Sequence, residues 1–405
     1  MAIRQWVAVL ASVVPLAGCA DPKLGRPASA LADPVGYTQP PATNPRNPPA
    51  VRFYVDPKGM DSNPGTGAAP FKTIQRAADT AGPGDTVVVR AGRYTGPSRI
   101  VSLSRGGAPG EWLTFRSEQL GGAVLDGRNG ESQEAWYFGP QVAYVRVEGF
   151  EITGLQEHGF DTYGGGVHDL LIARNHVHHI GRNCTDTSNG RTGASLGEGT
   201  HRVTFDGNVW HDIGRFAPGE SGCTPANQNY QNHDHAIYVA DANEITITNN
   251  VFYNLARGWA VHRYFSRGSP SHGLTIVNNT FAGQNPYRPG QIILATPTSG
   301  LRIENNIFYG PQEAALYFED LDFPGAAVRN NMIYQGVTKV GRPTGVSFGK
   351  NWEKTDPRIA GGTDFHLRSD SPAIDVGLPN PQVTHDADGV TRPRGAGYDL
   401  GAYEH

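Results

Sequence analysis

Helical periodicity is almost absent from this chain, and beyond residue 16 no apolar run approaches the roughly 18 residues a membrane span requires. Those two absences exclude a helical bundle and a multi-span membrane protein. Cysteine is scarce, three in 405 residues, which excludes a small scaffold built on disulfides. No excess of positive charge is present either. The formal net charge of −4 argues against a nucleic-acid partner.

What the chain has is a repeat. Seven times between Val147 and Asn331 an apolar residue is followed, three positions on, by a turn residue that is nearly always Asn. The copies start at Val147, Ile172, Phe205, Ile247, Ile276, Ile303 and Val328, at steps of 25, 33, 42, 29, 27 and 25 residues. A floor near 25 with variable insertions marks a solenoid. Each copy is a short segment of alternating apolar positions, such as Ile245-Thr-Ile247, then a bend at Asn, then a second apolar segment such as Val251-Phe252. One circuit of three short strands at about 3.3 Å per residue fits that length, and circuits stacked at about 4.8 Å pair backbone with backbone. Asn175, Asn208, Asn250, Asn279, Asn306 and Asn331 are expected to stack as an inward ladder, because Asn tolerates the bend and its amide reaches the next coil. The fold class is therefore all-β: a right-handed parallel β-helix solenoid with an N-terminal capping helix and a C-terminal cap.

The capping helix is expected at Phe71–Ala81, with Phe71, Ile74, Ala77 and Ala78 on one face. It leads through Gly82-Pro-Gly84 into Asp85–Arg90, the first coil. After Gly336 the period is expected to fade into the cap. The domain therefore runs from 51 to 405, with 51–95 as N-terminal cap and first coil and 337–405 as C-terminal cap.

Tyr54-Val-Asp-Pro-Lys-Gly-Met-Asp-Ser-Asn-Pro-Gly-Thr66, Ala69–Ala77 and Pro83–Tyr94 resemble the N-terminal entry of bacterial pectate-lyase-like β-helix proteins. Ser371-Pro-Ala-Ile-Asp375, Gly389–Arg394 and Asp399–Glu404 look like the C-terminal cap of the same group. The resemblance covers nearly all of 51–405 and implies the fold; it leaves the reaction open, since that fold hosts lyases, hydrolases, epimerases and adhesive surfaces.

Residues 1–19 read as a secretion signal: Arg4, the apolar run Trp6 to Leu16, then Leu16-Ala-Gly-Cys19, which looks like a lipobox with Cys19 as the lipidated residue. Ala20, rather than Asp, after the cysteine points to the outer membrane. Residues 20–50, rich in Pro, Ala and Asn, read as a tether. Lipid would be the only membrane anchor, and a monomer is expected. Cys184 and Cys223 lie in the two long insertions, where an exported protein would pair them as a disulfide.

Those insertions, about 182–192 and 215–234, are expected to rise as a wall beside one sheet, the usual setting of a binding site. Counting back fifteen residues from each ladder position aligns that sheet's strands at 135, 160, 193, 235, 259, 291 and 316, the 259 strand being placed by likeness. Alternation then sends Ile237, Val261 and Ile293 inward, and Phe138, Tyr163, Leu196, Tyr238, His262, Leu294 and Glu319 outward. Tyr238 and His262 become neighbours on adjacent coils, with Tyr163 two coils from Tyr238. A histidine and a tyrosine so placed suit proton transfer. For a uronate-containing polysaccharide the matching reaction is β-elimination: His262 as base, Tyr238 as acid, the two roles exchangeable. Arg263 would turn to the substrate carboxylate, although strict alternation sends it inward.

His233, Asp234 and His235, just before the Tyr238 strand, are expected to position sugar, as are Tyr163, Asp161 and Glu319. With Asp234, His233 and His235 could instead bind a metal, Ca²⁺ being the candidate ion; that is the weaker alternative, because the spacing matches no established cage and Ca²⁺ would want more oxygens. His176, His178, His179 and His211 follow ladder turns and read as solvated or stacked residues. A glycoside hydrolase on the same scaffold is a rival, with Asp161, Asp234, Glu198 and Glu319 as its carboxylates. A non-catalytic glycan-binding or structural surface protein is a third reading. The lysine-based mechanisms of pectate lyases and chondroitinases do not transfer, since Lys58 and Lys72 precede the coils and Lys339, Lys350 and Lys354 lie in the tail.

Overall fold

A computed structural model of the chain describes residues 50–185, 189–217, 219–224, 233–255, 257–264, 271–283 and 288–405. The signal, the lipobox Cys19 and the tether up to residue 49 lie outside the described residues, as do parts of the insertions. The described chain is a parallel β-helix. Each full circuit contributes one strand to a nine-stranded, one to an eleven-stranded and one to a ten-stranded sheet, as in His235–Ala240, Asn243–Thr248 and Val251–Tyr253. All pairings in these three sheets are parallel, for example Ile245↔Leu274 and Val251↔Thr280.

The ladder forms at the bend between the eleven- and ten-stranded sheets. The backbone N–H and Nδ2 of Asn250 both donate to Asn279 Oδ1, at 2.8 and 3.0 Å, and Asn279 donates to Asn306 Oδ1 in the same way, at 2.9 and 3.0 Å. The same pairs of bonds join Asn175 to Asn208, Asn208 to Asn250 and Asn306 to Asn331. Each amide also reaches a backbone carbonyl, as Asn279 Nδ2 does to Ile247 at 2.8 Å. A buried bend is therefore left with its polar groups paired. Inside the tube the rings of Phe252, Phe281 and Phe308 stack at 4.7 and 4.8 Å, one per coil.

Two details differ from expectation. The period does not stop at Gly336: strands Val337–Val340, Thr344–Phe348 and Trp352–Glu353 complete another coil, and Asn351 accepts from Asn331 as a seventh rung. The residue before each later rung forms a second ladder. Asn249, Asn278, Asn305 and Asn330 hold φ of 55–58°, which Asn accepts more readily than other side chains, and their amides donate to carbonyls of His385, Asp399, Leu378 and Val376. The C-terminal cap is hung on that row.

At the other end the helix is shorter than the apolar pattern suggested, Ile74–Thr80, because Thr73 caps it by accepting from Arg76 N–H. Gln75 bonds both Ser102 N–H and Ser102 carbonyl, covering the open edge of strand Arg99–Leu103.

Replacing Asn279 by Ala orphans the buried backbone N–H of Asn250 and removes one bond each from Asn250 Nδ2, which keeps the Phe205 and Thr248 carbonyls, and from the Ile247 carbonyl. At about 1–3 kcal/mol for an unsatisfied buried group, the loss should be about 1–3 kcal/mol. Denaturant unfolding checks this; an unchanged midpoint would remove the ladder from the account of stability.

Candidate functional site

The outer face of the nine-stranded sheet carries the site. Register pairs run Tyr137↔Asp161, Asp161↔Ser195, Ser195↔Tyr238, Tyr238↔His262, His262↔Ile293 and Ile293↔Tyr317. Tyr238 and His262 are thus direct neighbours on adjacent coils, both half-buried, with ring centroids 5.2 Å apart. The rest of the expected outward row is displaced. Phe138, Leu196 and Leu294 are buried in the core, and Ile293, expected inside, faces out beside His262. The fifteen-residue count slips because the path from outward position to ladder Asn is 12 residues at Tyr238, 13 at Ser195 and Ile293, and 14 at Asp161 and Tyr317.

His235 joins the pair at the strand start, its ring 4.6 Å from that of His262. Trp259 N–H donates to His235 Nδ1 at 3.2 Å, and His235 Nε2 lies 2.9 Å from His262 Nδ1. This pattern assigns the protons. A neutral His235 that accepts at Nδ1 holds its hydrogen on Nε2 and donates it to His262. A neutral His262 then carries its hydrogen on Nε2, a tautomer that does not suit the expected role of base. Both rings stay neutral: burial, with His233 and Arg288 nearby, pushes His262 down to about 3, and burial pushes His235 well below the usual histidine range, since a proton on one ring of the pair would repel one on the other. Burial raises the Tyr238 hydroxyl, so it rests as a phenol.

The other expected residues are scattered in role. Arg263 is fully buried inside the coil, its guanidinium bonded to the Ala242 carbonyl and to Thr298 Oγ1; alternation has prevailed, and the side chain is turned away from any substrate on the outer face. Asp234 is likewise sequestered. Its carboxylate accepts from Arg215 N, Nε and Nη2 and from Arg191 N at 2.8–3.0 Å, with both members of the ion pair fully buried. It fastens the insertions together, as does the Cys184–Cys223 disulfide, whose Cα atoms are 5.4 Å apart. His233 stands half-buried on the wall. Tyr163 lies past its strand end and 57% exposed; a Cβ at Gly197 would fall 2.9 Å from its ring, so glycine there lets the tyrosine lean across toward the Tyr238 coil. Glu319 is exposed beyond strand Ala314–Phe318, and Glu198 is exposed as well.

Two contributors escaped the sequence reading. Arg288, in a connection between strands, is close enough for its charge to depress both His235 and His262. Glu134 opens the strand Glu134–Phe138, ion-paired to Arg99 at 2.8 Å, with Asp161 on the next coil. Burial raises both carboxyls, and the Asp161 charge raises Glu134 further. The fifteen-residue count began that strand at Ala135 and missed Glu134 by one position. Together the face offers neutral donors, a cation and the rings of Tyr163, Tyr238, Tyr264 and Tyr317, a surface suited to sugar rings.

The Pel9A-like right-handed β-helix model matches residues 53–235, and a general right-handed β-helix model matches residues 219–348. These matches, with the three parallel sheets, make the chain a right-handed parallel β-helix that is similar to the Pel9A-like proteins over residues 53–235. It is 33% identical over 78 residues to pectate lyase PEL9 of Emericella nidulans, 19% of each chain, and 31% identical over 103 residues to the uncharacterized protein YwoF of Bacillus subtilis, 25% of this chain and 21% of that one. The chain thus spans about a fifth of the length of these curated relatives. Among solved structures, one named only as a glycoside hydrolase superposes with a TM-score of 0.53 at 8% identity over 75% of this chain and 97% of that one. Pectate lyase Pel9A gives 0.44 at 12% identity over 88% and 96%. At 8% identity the likeness to the glycoside hydrolase shows the fold alone.

The tautomer assignment makes a prediction about protonation. His262, held near 3, and His158, held near 4 by burial, should show no titration in NMR between about pH 5 and 8. Because the unfolded chain takes these protons below about 6.5 and the folded chain does not, their contribution to stability falls as pH drops below that value. A His262 midpoint near 6.5 would contradict the assignment.

Proposed function

We propose that this chain is an exported carbohydrate-active protein that cleaves a uronate-containing polysaccharide by β-elimination. The observation that carries the reading is the Tyr238–His262–His235 cluster on the groove face, with Arg288 beside it. In the reaction a base takes the proton next to the carboxylate, the charge that builds on that carboxylate is neutralised, and the glycosidic oxygen leaves with a proton. The His262 Nε2–H and the Arg288 guanidinium suit the carboxylate, since both are donors aimed at developing negative charge. Tyr238, kept protonated by burial, suits the leaving oxygen. His233, half-buried on the wall close to His235 and His262, takes in its neutral form the part of base that the His262 tautomer does not fit. The name of the Emericella relative, a pectate lyase, supports the class of reaction. Export is supported by the lipobox-like Leu16-Ala-Gly-Cys19 and by the disulfide, which needs an oxidising compartment. An outer-membrane lipoprotein with residues 20–50 as tether, acting as a monomer, is the arrangement we infer. No cofactor is required by these steps.

One observation favours a second reading. Glu134 and Asp161 lie on neighbouring coils of the same face with raised pKa values, the condition a glycoside hydrolase needs for its acid.

The purified chain, incubated with a panel of uronate-containing and neutral glycans, is followed by ultraviolet absorbance and reducing ends together. New absorbance is the expected result. Tyr238→Phe, His233→Ala and His262→Ala should each lower it about 10²–10⁴-fold with the fold intact. Reducing ends without absorbance, abolished in Glu134→Gln, would replace elimination by hydrolysis. Silence across the panel would leave binding as the function.

A further inference from the structure

The histidines that follow the ladder turns do more than line a surface. We propose that the outer face of the ten-stranded sheet holds a site for a first-row divalent transition ion of the zinc class, built by Glu151, His176, His178 and His211. The four come from three successive strands, Glu151–Thr153, His176–His178 and Val209–His211, and form a staggered block, one on each outer strand and two on the middle one: Glu151 pairs in register with His176, and His178 with His211. The inward residues between them, Ile152, Val177 and Trp210, are fully buried, so the block rests on a rigid core.

The donor atoms converge. One ligand atom each from Glu151, His176 and His178 lie within 4.8 Å of one another. His178 Nε2 is 3.5 Å from Glu151 Oε1, and His211 Nε2 is 2.7 Å from His176 Nε2. An ion about 2.0–2.2 Å from each ligand sets them roughly 3.3–3.5 Å apart; the His178–Glu151 pair already stands at that spacing, the His176–His211 contact has to open by about 0.6 Å, and His211 has to draw in toward the other two ligands. Two Nε2 atoms facing each other at that distance share one hydrogen when no ion is bound, and an ion would take its place.

The far sides of two rings are already engaged, as in built metal sites. His211 Nδ1 lies 2.6 Å from Asp212 Oδ2, and His178 Nδ1 lies 2.7 Å from His179 Nδ1 and 3.3 Å from Thr153 Oγ1. These contacts leave both Nε2 atoms on the side where Glu151 and His176 stand. His178 stacks on His211 at 4.9 Å and His211 on Tyr253 at 4.4 Å; since an imidazole ligates through a lone pair in its own plane, one of the two parallel histidine rings has to tilt as the ion enters. Three imidazoles and one carboxylate select zinc, nickel or copper over Ca²⁺ and Mg²⁺, which require oxygen-rich sets. The block is on a different sheet from Tyr238 and His262, so the inference stands apart from the lyase reading.

The test uses the full chain, stripped with chelator and dialysed against Zn²⁺ or Co²⁺ in turn. One equivalent should bind, Co²⁺ should show the visible bands of a low-coordinate nitrogen-ligated ion, and Zn²⁺ should raise the unfolding temperature. His178→Ala combined with His211→Ala should abolish all three while leaving the metal-free unfolding temperature near that of the parent. If that double variant does not fold, His176→Gln, at a half-exposed position, must weaken binding at least tenfold instead. Asp212→Asn, which acts through His211, should weaken binding about 10–100-fold and shift the Co²⁺ bands. Absence of stoichiometric binding overturns the proposal. So does Ca²⁺ competing equally with Zn²⁺. Binding lost in Asp212→Ala but untouched in His176→Ala would move the ion to the neighbouring set of His179, His211 and Asp212 and overturn the assignment as well.

Discussion

The amide ladder at the bend is the constraint on which the rest of the molecule depends. An asparagine side chain carries a carbonyl and an NH₂ on one short stem, so a single residue can accept two bonds from the preceding coil and donate to the next. Aspartate lacks the donors, and glutamine has an extra methylene that the rung spacing does not accommodate. Because the ladder fixes the height of each coil at one point, strands before and after it cannot slip by a residue without breaking it. That fixed register is what sets His262 beside Tyr238 and His211 beside His178.

The ladder also explains what was legible in the sequence. Its period gave the coil number, the location of the bends and the interior stack, because each rung needs the same residue at the same place. The outer face of the nine-stranded sheet was legible only in part. Between that face and the ladder lies a stretch of variable length, 12 to 14 residues from Asp161, Ser195, Tyr238, Ile293 and Tyr317 and 17 from His262, and nothing in the local sequence says which length applies. The Tyr238–His262 pairing is legible because a recognisable apolar residue, Ile237 on one strand and Val261 on the other, immediately precedes each member at matching positions. Glu134, with no such flanking signal, did not.

Charged residues misled for a different reason. Asp234 stands next to two histidines in a polar segment, and its partner, Arg215, is 19 residues away across an insertion. A carboxylate that must be buried is stable only with its charge matched and its oxygens bonded, and the insertion supplies both. Arg263 is the same case in reverse: a cation beside the site in sequence, carried to the interior by the pleat and satisfied there by the Ala242 carbonyl. Both residues hold the wall and the coil, and the groove cation is Arg288, which no strand pattern marks.

The coiled body carries no lysine between Lys72 and Lys339, and its face chemistry rests on planar groups instead. At about 4.8 Å per rung, imidazole and phenol rings on adjacent coils stack or hydrogen-bond directly, whereas a long flexible ammonium would lose rotamer freedom to be held so. The two histidine clusters then differ only by company. On the nine-stranded sheet, His235 and His262 are buried among rings with Arg288 nearby, which keeps them neutral. On the ten-stranded sheet, Glu151 and Asp212 stand next to His178 and His211, so negative charge accompanies the imidazoles. One scaffold spacing thus yields a neutral donor surface on one flank and a cation-seeking one on another, according to whether the neighbouring rung supplies an aromatic ring or a carboxylate.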